Sequence, residues 1–271
     1  MNCKNCKSEL NQKDNFCNEC GAKIIKERIT VKTLFSNVLI ALGWDSNFFV
    51  TLRHLLCKPQ IVFKEYINGT RKKYANPFAF FAISLAISLF FFSQYSEQLI
   101  QMSTNLSLQE TEMTESVISS DINDIKSKEV FGYKNQEEFT KATMKFQMKY
   151  YNLFAFLSLP LYSLIVFLVF RKPYNYGEHL VINTYIQSVT TFFGVLLFIF
   201  SLLTGINIYG AGITIFGFIY LLYAYKRLYN LTFAQLFVKI LKIIGIFLAL
   251  LVILLIIGVI YVVINKYIEI N

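Results

Sequence analysis

The apolar residues of this chain fall in long blocks, not in the alternations of a soluble sheet or the one-sided stripes of a soluble helix. Five stretches contain no Asp, Glu, Lys, Arg or His: residues 78–95, 150–170, 180–203, 208–225 and 243–264. A helix rising ~1.5 Å per residue needs about 20 apolar residues to cross a bilayer, so each stretch predicts a membrane span. The last, IIGIFLALLVILLIIGVIYVVI, is apolar around its whole circumference and has no plausible place in a soluble protein. Residues 78–95 and 208–225 are the short ones, and by length 78–95 also fits a buried or re-entrant segment. The third and fourth stretches must reverse direction within residues 204–207.

Ahead of the first block the period is helical, but the pieces are too short to span. Val31, Leu34, Phe35, Val38, Leu39 and Leu42 recur every three or four residues, which predicts an amphipathic helix. Residues 48–57 form a second piece ending before Pro59, and residues 61–67 a third that stops at Asn68-Gly69. Such helices lie in the membrane interface or pack on other cytoplasmic parts of the chain. Cys57, alone in LRHLLCKP, is expected to be a small buried hydrophobe. After the first block, Ile118, Ile122 and Ile125 stand at helical spacing, and Asn135 with Glu138 reads as a helix start leading into the second span. Residues 96–149 are therefore expected to form a helical extracytoplasmic loop.

Composition supports the membrane reading. Of 271 residues, 55% are hydrophobic and 16% charged, against roughly 25% charged in an average soluble domain. The mean hydropathy of +0.48 leaves too little charge for the surface of an ordinary soluble enzyme. Disorder is excluded by the 27 Phe and 17 Tyr, and a collagen-like chain by the 12 Gly and 4 Pro. The first 29 residues are polar and contain no apolar signal-peptide core, so 78–95 is expected to be the first inserted segment. Lys and Arg then set the orientation. Residues 1–77, 171–179 and 226–242 carry 13, 2 and 4 of them, whereas residues 96–149 carry 6 and the C-terminal tail 1. The positive-inside rule places the N-terminus in the cytoplasm and the C-terminus outside.

The sharpest local signal is Cys3-x2-Cys6-x10-Cys17-x2-Cys20. Two thiolates two residues apart form a knuckle whose backbone amides face the sulfurs, and two knuckles supply the tetrahedral four-thiolate shell that zinc favours. Gly21 permits the positive-φ turn that closes the second knuckle, whereas the first has Lys7 at the equivalent place. A disulfide pair, a redox switch and an iron–sulfur cluster are the competing readings. A reducing cytoplasm disfavours disulfides, and fewer than 25 residues need a metal or another staple to fold. The expectation is a structural zinc ion, Zn2+, fully ligated by Cys3, Cys6, Cys17 and Cys20. The ribbon is close to charge-balanced, which disfavours nucleic acid as partner and favours a protein contact.

Inside the third span, His179, Asn183, Gln187 and Thr191 follow at four-residue intervals, with Ser84 and Ser88 of the first span able to face them. Exposed to lipid, these groups would be unpaired, so the stripe must link helices or line a wet path. Arg71, Lys72 and Lys73 precede the first span and read as topogenic charge or as a contact to anionic headgroups. No span contains Asp, Glu, Lys or Arg, which weighs against an ion-coupled transporter. The chain has no Walker loop, no G-x-S-x-G, no H-E-x-x-H and only two His, so no catalytic constellation is visible.

Three stretches carry a resemblance: Pro59-x6-Tyr66-x2-Gly69-x-Arg71-x2-Tyr74-x2-Pro77-Phe78, Gly177-Glu178-His179-Leu180-Val181, and Tyr220-x4-Tyr225-x-Arg227-x-Tyr229. With the N-terminal zinc ribbon they resemble the bacterial membrane family catalogued as domain of unknown function 3667. That resemblance implies a location and supplies no activity. The expected fold is all-α integral membrane: a five-helix transmembrane bundle with a small N-terminal four-cysteine zinc ribbon and a helical extracytoplasmic loop. The divisions are 1–24 for the ribbon, 25–77 for cytoplasmic amphipathic helices, 78–95 for the first span, 96–149 for the loop and 150–271 for the remaining spans. The expected role is a non-enzymatic scaffold in the bacterial inner membrane, binding a cytoplasmic protein partner or a second copy of itself. Alternatives are an uncoupled permeation protein lined by the polar stripe and a lipid-acting enzyme using Glu178 and His179.

Overall fold

The computed structural model describes residues 2–11, 15–22, 24, 30, 46–117, 136–206 and 208–270. The chain divides into two units, Met1–Trp44 and Asp45–Asn271. The helix expected over Val31–Leu42, the spacing of Ile118, Ile122 and Ile125, and the cap at Asn135 lie outside the described residues. The larger unit contains α1 (Ser46–Cys57), α2 (Pro59–Ile67), α3 (Pro77–Val117), α4 (Gln136–Phe170), α5 (Tyr176–Thr204), α6 (Tyr209–Tyr229) and α7 (Phe233–Ile270). No strand occurs among the described residues.

Local chemistry fixes the ends of these helices. Pro59 opens α2, where its missing N–H costs nothing, and Gly69 follows at φ 102°. The Asn76 side chain accepts from the backbone N–H of Phe78 and Ala79 to start α3. α5 begins with a reciprocal capping box, in which Asn175 Oδ1 accepts from Glu178 N–H and Glu178 Oε2 accepts from Asn175 N–H. Gly205, at φ 72°, ends α5 and makes the expected reversal before α6. α3 is interrupted at Tyr95 (φ −123°), so its membrane-length part is Pro77–Tyr95.

Aromatic contacts give the relative directions of the long helices. Phe80 meets Tyr185 and Phe192, and Phe92 meets Phe198, so α3 and α5 run parallel. α4 runs opposite, with Tyr151 against Phe92 and Phe167 against His179. α6 also runs opposite to α5, with Tyr209 against Phe198 and Tyr225 stacked on His179. Glycines let α5 and α6 approach closely: a Cβ at Gly217 would lie 2.9 Å from Thr190 Cγ2, and one at Gly212 2.8 Å from Leu197 Cδ1. α7 starts beside the end of α4, where Lys239 Nζ donates to the Val169 carbonyl at 2.6 Å and lies over the Phe170 ring. A cation at a helix C-terminus satisfies carbonyls that have no partner within the helix.

Among the described residues four helical stretches are long and apolar enough to cross a membrane: Pro77–Tyr95, Glu138–Phe170, Tyr176–Thr204 and Phe233–Leu250. Five were expected. The stretch 208–225 does form a helix, α6, and at about 31 Å its 21 residues match a bilayer core in length. Five tyrosines and three glycines make it less apolar than the other four. Two helices start earlier than the charge-free stretches expected, α5 at Tyr176 and α7 at Phe233.

One end of the bundle collects α1, α2, the segment before α3 and the turns at 171–175 and 230–232. Here Phe48, Thr51 and Leu55 are buried on one face of α1, and Val62, Phe63 and Tyr66 on α2. Cys57 lies off that face and is exposed, correcting its expected burial; its carbonyl instead accepts from the Tyr223 hydroxyl. Tyr185 is the pivot. Its ring packs against Phe63, Tyr66 and Phe80, and its hydroxyl donates to the Ala75 carbonyl at 2.6 Å. The N–H of Ala75 donates to Thr51 Oγ1 at 2.8 Å, so side chains from α1 and α5 satisfy both polar groups of one buried peptide residue. Leaving a buried carbonyl unpaired costs about 1–3 kcal/mol. Tyr185→Phe is therefore expected to lower the thermal unfolding midpoint in detergent, whereas Tyr176→Phe, whose exposed hydroxyl donates to the Pro160 carbonyl, should leave it nearly unchanged.

Candidate metal centre and buried polar cluster

The four ribbon cysteines converge. The ligand atoms of Cys3, Cys6, Cys17 and Cys20 all lie within 4.8 Å of one another. Cys3 Sγ is 3.7 Å from Cys20 Sγ, and Cys6 Sγ is 3.6 Å from Cys17 Sγ. A tetrahedral ion with metal–sulfur bonds of about 2.3 Å sets sulfurs about 3.8 Å apart, so the four thiols fit a metal ion. All four cysteines are unbridged.

Two matching turns build this arrangement. The N–H of Lys7 donates to the Cys3 carbonyl at 2.9 Å, and that of Gly21 to the Cys17 carbonyl at 2.8 Å. Both turning residues have positive φ, 67° at Lys7 and 68° at Gly21, so the first knuckle does close without glycine. Cys3 and Cys17 are buried and pack with Leu10 and Ile24. The Ser8 hydroxyl lies 3.0 Å from Cys6 Sγ and 3.2 Å from Cys17 Sγ. It and the N–H of Cys20 hold the Cys17 thiol down to about 6, favouring the thiolate a metal requires.

The polar stripe divides into a sealed half and an open half. His179 and Asn183 are fully buried. His179 Nδ1 lies 2.9 Å from the Tyr225 hydroxyl and Nε2 3.2 Å from the Tyr229 hydroxyl, and Tyr225 donates to Asn183 Oδ1 at 3.1 Å. Because Tyr225 gives its proton to Asn183, it accepts from His179 Nδ1–H, and Nε2 accepts from Tyr229. Asn183 Nδ2 has no partner among the described residues. Thr191 is also buried and returns its hydroxyl to the Gln187 carbonyl. Gln187 differs: its side chain is partly exposed and lines a cavity. Ser84 and Ser88 are buried on α3, and the Ser84 hydroxyl is bonded to the Phe81 carbonyl.

The headgroup candidates are also partly engaged. Lys73 Nζ lies 2.6 Å from Glu65 Oε2, which accepts from the Tyr74 hydroxyl at 2.7 Å as well. Lys73, then Tyr74, hold the Glu65 carboxyl below its ordinary range. The Arg71 guanidinium stands over the Tyr66 ring, and the Lys72 carbonyl accepts from Asn47. The stretches quoted above thus meet at one end. The Tyr220 and Tyr223 hydroxyls donate to the Leu55 and Cys57 carbonyls, the segment around Tyr74 and Ala75 packs on Tyr185, and His179 joins Tyr225 and Tyr229. The spacing of these tyrosines was visible in the sequence, but their histidine and carbonyl partners were not.

Membrane-length helices and a four-cysteine cluster define a helical membrane protein with a candidate metal centre. A family model described as "Protein of unknown function (DUF3667)" matches residues 45–91, which cover α1, α2 and the first part of α3. The comparisons with curated proteins and with solved structures return no match. The metal site predicts one bound metal ion per chain by elemental analysis, lost in a Cys17→Ser/Cys20→Ser variant. Far-ultraviolet helicity should change little, because the described helices of the larger unit have their own core.

Proposed function

We propose that this is a non-enzymatic scaffold of the bacterial inner membrane, whose zinc-bound N-terminal ribbon docks a cytoplasmic protein partner or a second copy of the chain. The observation that carries the reading is the closed four-sulfur site. With every position taken by thiolate, a zinc ion there has no vacancy for a catalytic water and serves to hold the ribbon's shape. Binding of such an ion is worth roughly 10–16 kcal/mol in zinc-finger peptides, enough to fold a segment without a core of its own.

Orientation follows from the shared end of the bundle. Arg53, Lys58, Lys64, Arg71, Lys72, Lys73, Arg171, Lys172, Lys226 and Arg227 all lie on the elements gathered there. That end faces the cytoplasm under the positive-inside rule. α6 is then a fifth crossing, and the C-terminus lies outside. Both alternative functions lose support from the packing. A permeation path through the stripe meets His179 and Asn183 already bonded to the tyrosines of α6. A lipid-acting enzyme would need Glu178, which is held in the capping box, and His179, whose two nitrogens are both engaged.

Crosslinking in intact cells tests the scaffold reading. Wild type should capture a cytoplasmic protein, or itself, through residues 1–24, and Cys17→Ser/Cys20→Ser should lose that neighbour at equal membrane abundance. The same neighbours in both forms would remove the ribbon as docking surface.

A further inference from the structure

Three helices of the bundle leave hydrogen-bonding groups unused along one cleft. Between α4, α5 and α6 lies a cavity of about 370 Å³ whose polar lining includes Tyr151, Tyr162, Gln187, Thr190, Tyr209 and Thr214. The Thr190 and Thr214 hydroxyls are bonded to carbonyls of their own helices. Among the described residues the Gln187 carboxamide and the Tyr162 and Tyr209 hydroxyls have no hydrogen-bond partner in the protein. Gln187 lies near the middle of α5, remote from the headgroups at either end. Hydrocarbon chains cannot satisfy an amide or a phenol, and each such group left unpaired there carries a penalty of several kcal/mol.

A second cavity, of about 420 Å³, adjoins the first, sharing Tyr151 and Gln187 in its wall. The rest of its lining is mostly apolar, with Phe154, Ala155, Leu157 and Leu161. A polar cleft therefore adjoins an apolar one at the same glutamine, and the apolar one opens on the outer face of α4, where Leu157 and Leu161 are exposed. Among the described residues no Asp, Glu, Lys, Arg or His lines either cleft, so a charged headgroup would find no counter-ion in those walls.

We infer that these two clefts bind one neutral amphiphile, its hydroxyl- or carbonyl-bearing head against Gln187 and Tyr162 and its hydrocarbon chain along Phe154, Leu157 and Leu161. This rests on the reading that α6 lies in the membrane and is independent of what the ribbon binds. The required chemistry, an uncharged oxygen-bearing head on a long chain, is found in glycerolipids such as diacylglycerol and in isoprenoid alcohols. The site fits neither a phospholipid headgroup nor a water-soluble solute.

Photolabelling of the full-length protein in bilayer nanodiscs tests the assignment, using diazirine analogues of diacylglycerol and of a polyprenol and, as the charged comparator, of phosphatidylglycerol. One neutral probe should label the peptides containing Tyr162 and residues 209–221 saturably, and which of the two does so identifies the source. Labelling should fall about tenfold in Gln187→Leu and severalfold in Tyr162→Phe, while circular dichroism and the thermal midpoint are retained. Tyr162→Phe keeps the ring, so it remains informative if Gln187→Leu fails to fold. Labelling that is unsaturable, unchanged in Tyr162→Phe or as strong with phosphatidylglycerol overturns the proposal. If labelling fails while α6 is shown to cross the bilayer, only the cavity assignment falls; if α6 lies outside the bilayer, both do.

Discussion

A phenol taken out of water needs a partner for its hydroxyl, and this constraint organises how α6 packs on its neighbours. α6 carries five tyrosines, too many for hydropathy alone to place it among the spans. Four of them spend their hydroxyls inside the protein: Tyr220 and Tyr223 on the carbonyls of Leu55 and Cys57, Tyr225 on Asn183 and Tyr229 on His179. Each bond removes a desolvation penalty and also ties α6 to a neighbouring element. Interhelical bonds of this kind contribute about 0.6–2 kcal/mol each, so their effect lies as much in fixing register as in stability. The first two fasten the α1–α2 hairpin to the end of the bundle, and the other two tie α6 to α5. The hairpin coincides with the start of the family match, residues 45–91, so the matched region is a docked cap followed by the first long helix.

The ribbon obeys different physics. Its apolar cluster consists of Cys3, Leu10 and Cys17 with Ile24 beside them, far too little burial to order a chain. Its shape comes from two carbonyl-closed turns and from four sulfurs set at the spacing a tetrahedral ion imposes. The two units therefore depend on different interactions, the smaller on its four-sulfur cluster and the larger on hydrogen bonds between helices.

The legible features were those governed by local rules. Cysteine spacing predicted the knuckles, including a turn at Lys7 made without glycine. Charge-free length located four of the helices that could cross a membrane, Asn68-Gly69 marked a real helix end, and the reversal expected after the third stretch occurs at Gly205. Features set by partners distant in sequence were not legible. Nothing near His179 announces that Tyr225 and Tyr229, about fifty residues later, will take both its nitrogens. Cys57 was misjudged because helical period fixes which residues share a face but not which face is covered. The stripe at four-residue intervals was real as geometry, yet His179 and Asn183 face the α6 tyrosines while Gln187 faces a cavity, a distinction that only the neighbouring helices create.

On the proposed reading α6 crosses the membrane, its Tyr220, Tyr223, Tyr225 and Tyr229 hydroxyls satisfied within the protein. Ile206→Cys and Asn230→Cys place reporters at its two ends, and treating intact cells with an impermeant maleimide, followed by peptide mapping, reads their sides separately. A crossing helix predicts modification of the residue-206 reporter from outside and of the residue-230 reporter only after permeabilisation. Modification of both from the same side would mean that α6 does not cross, and the five-pass bundle would be wrong.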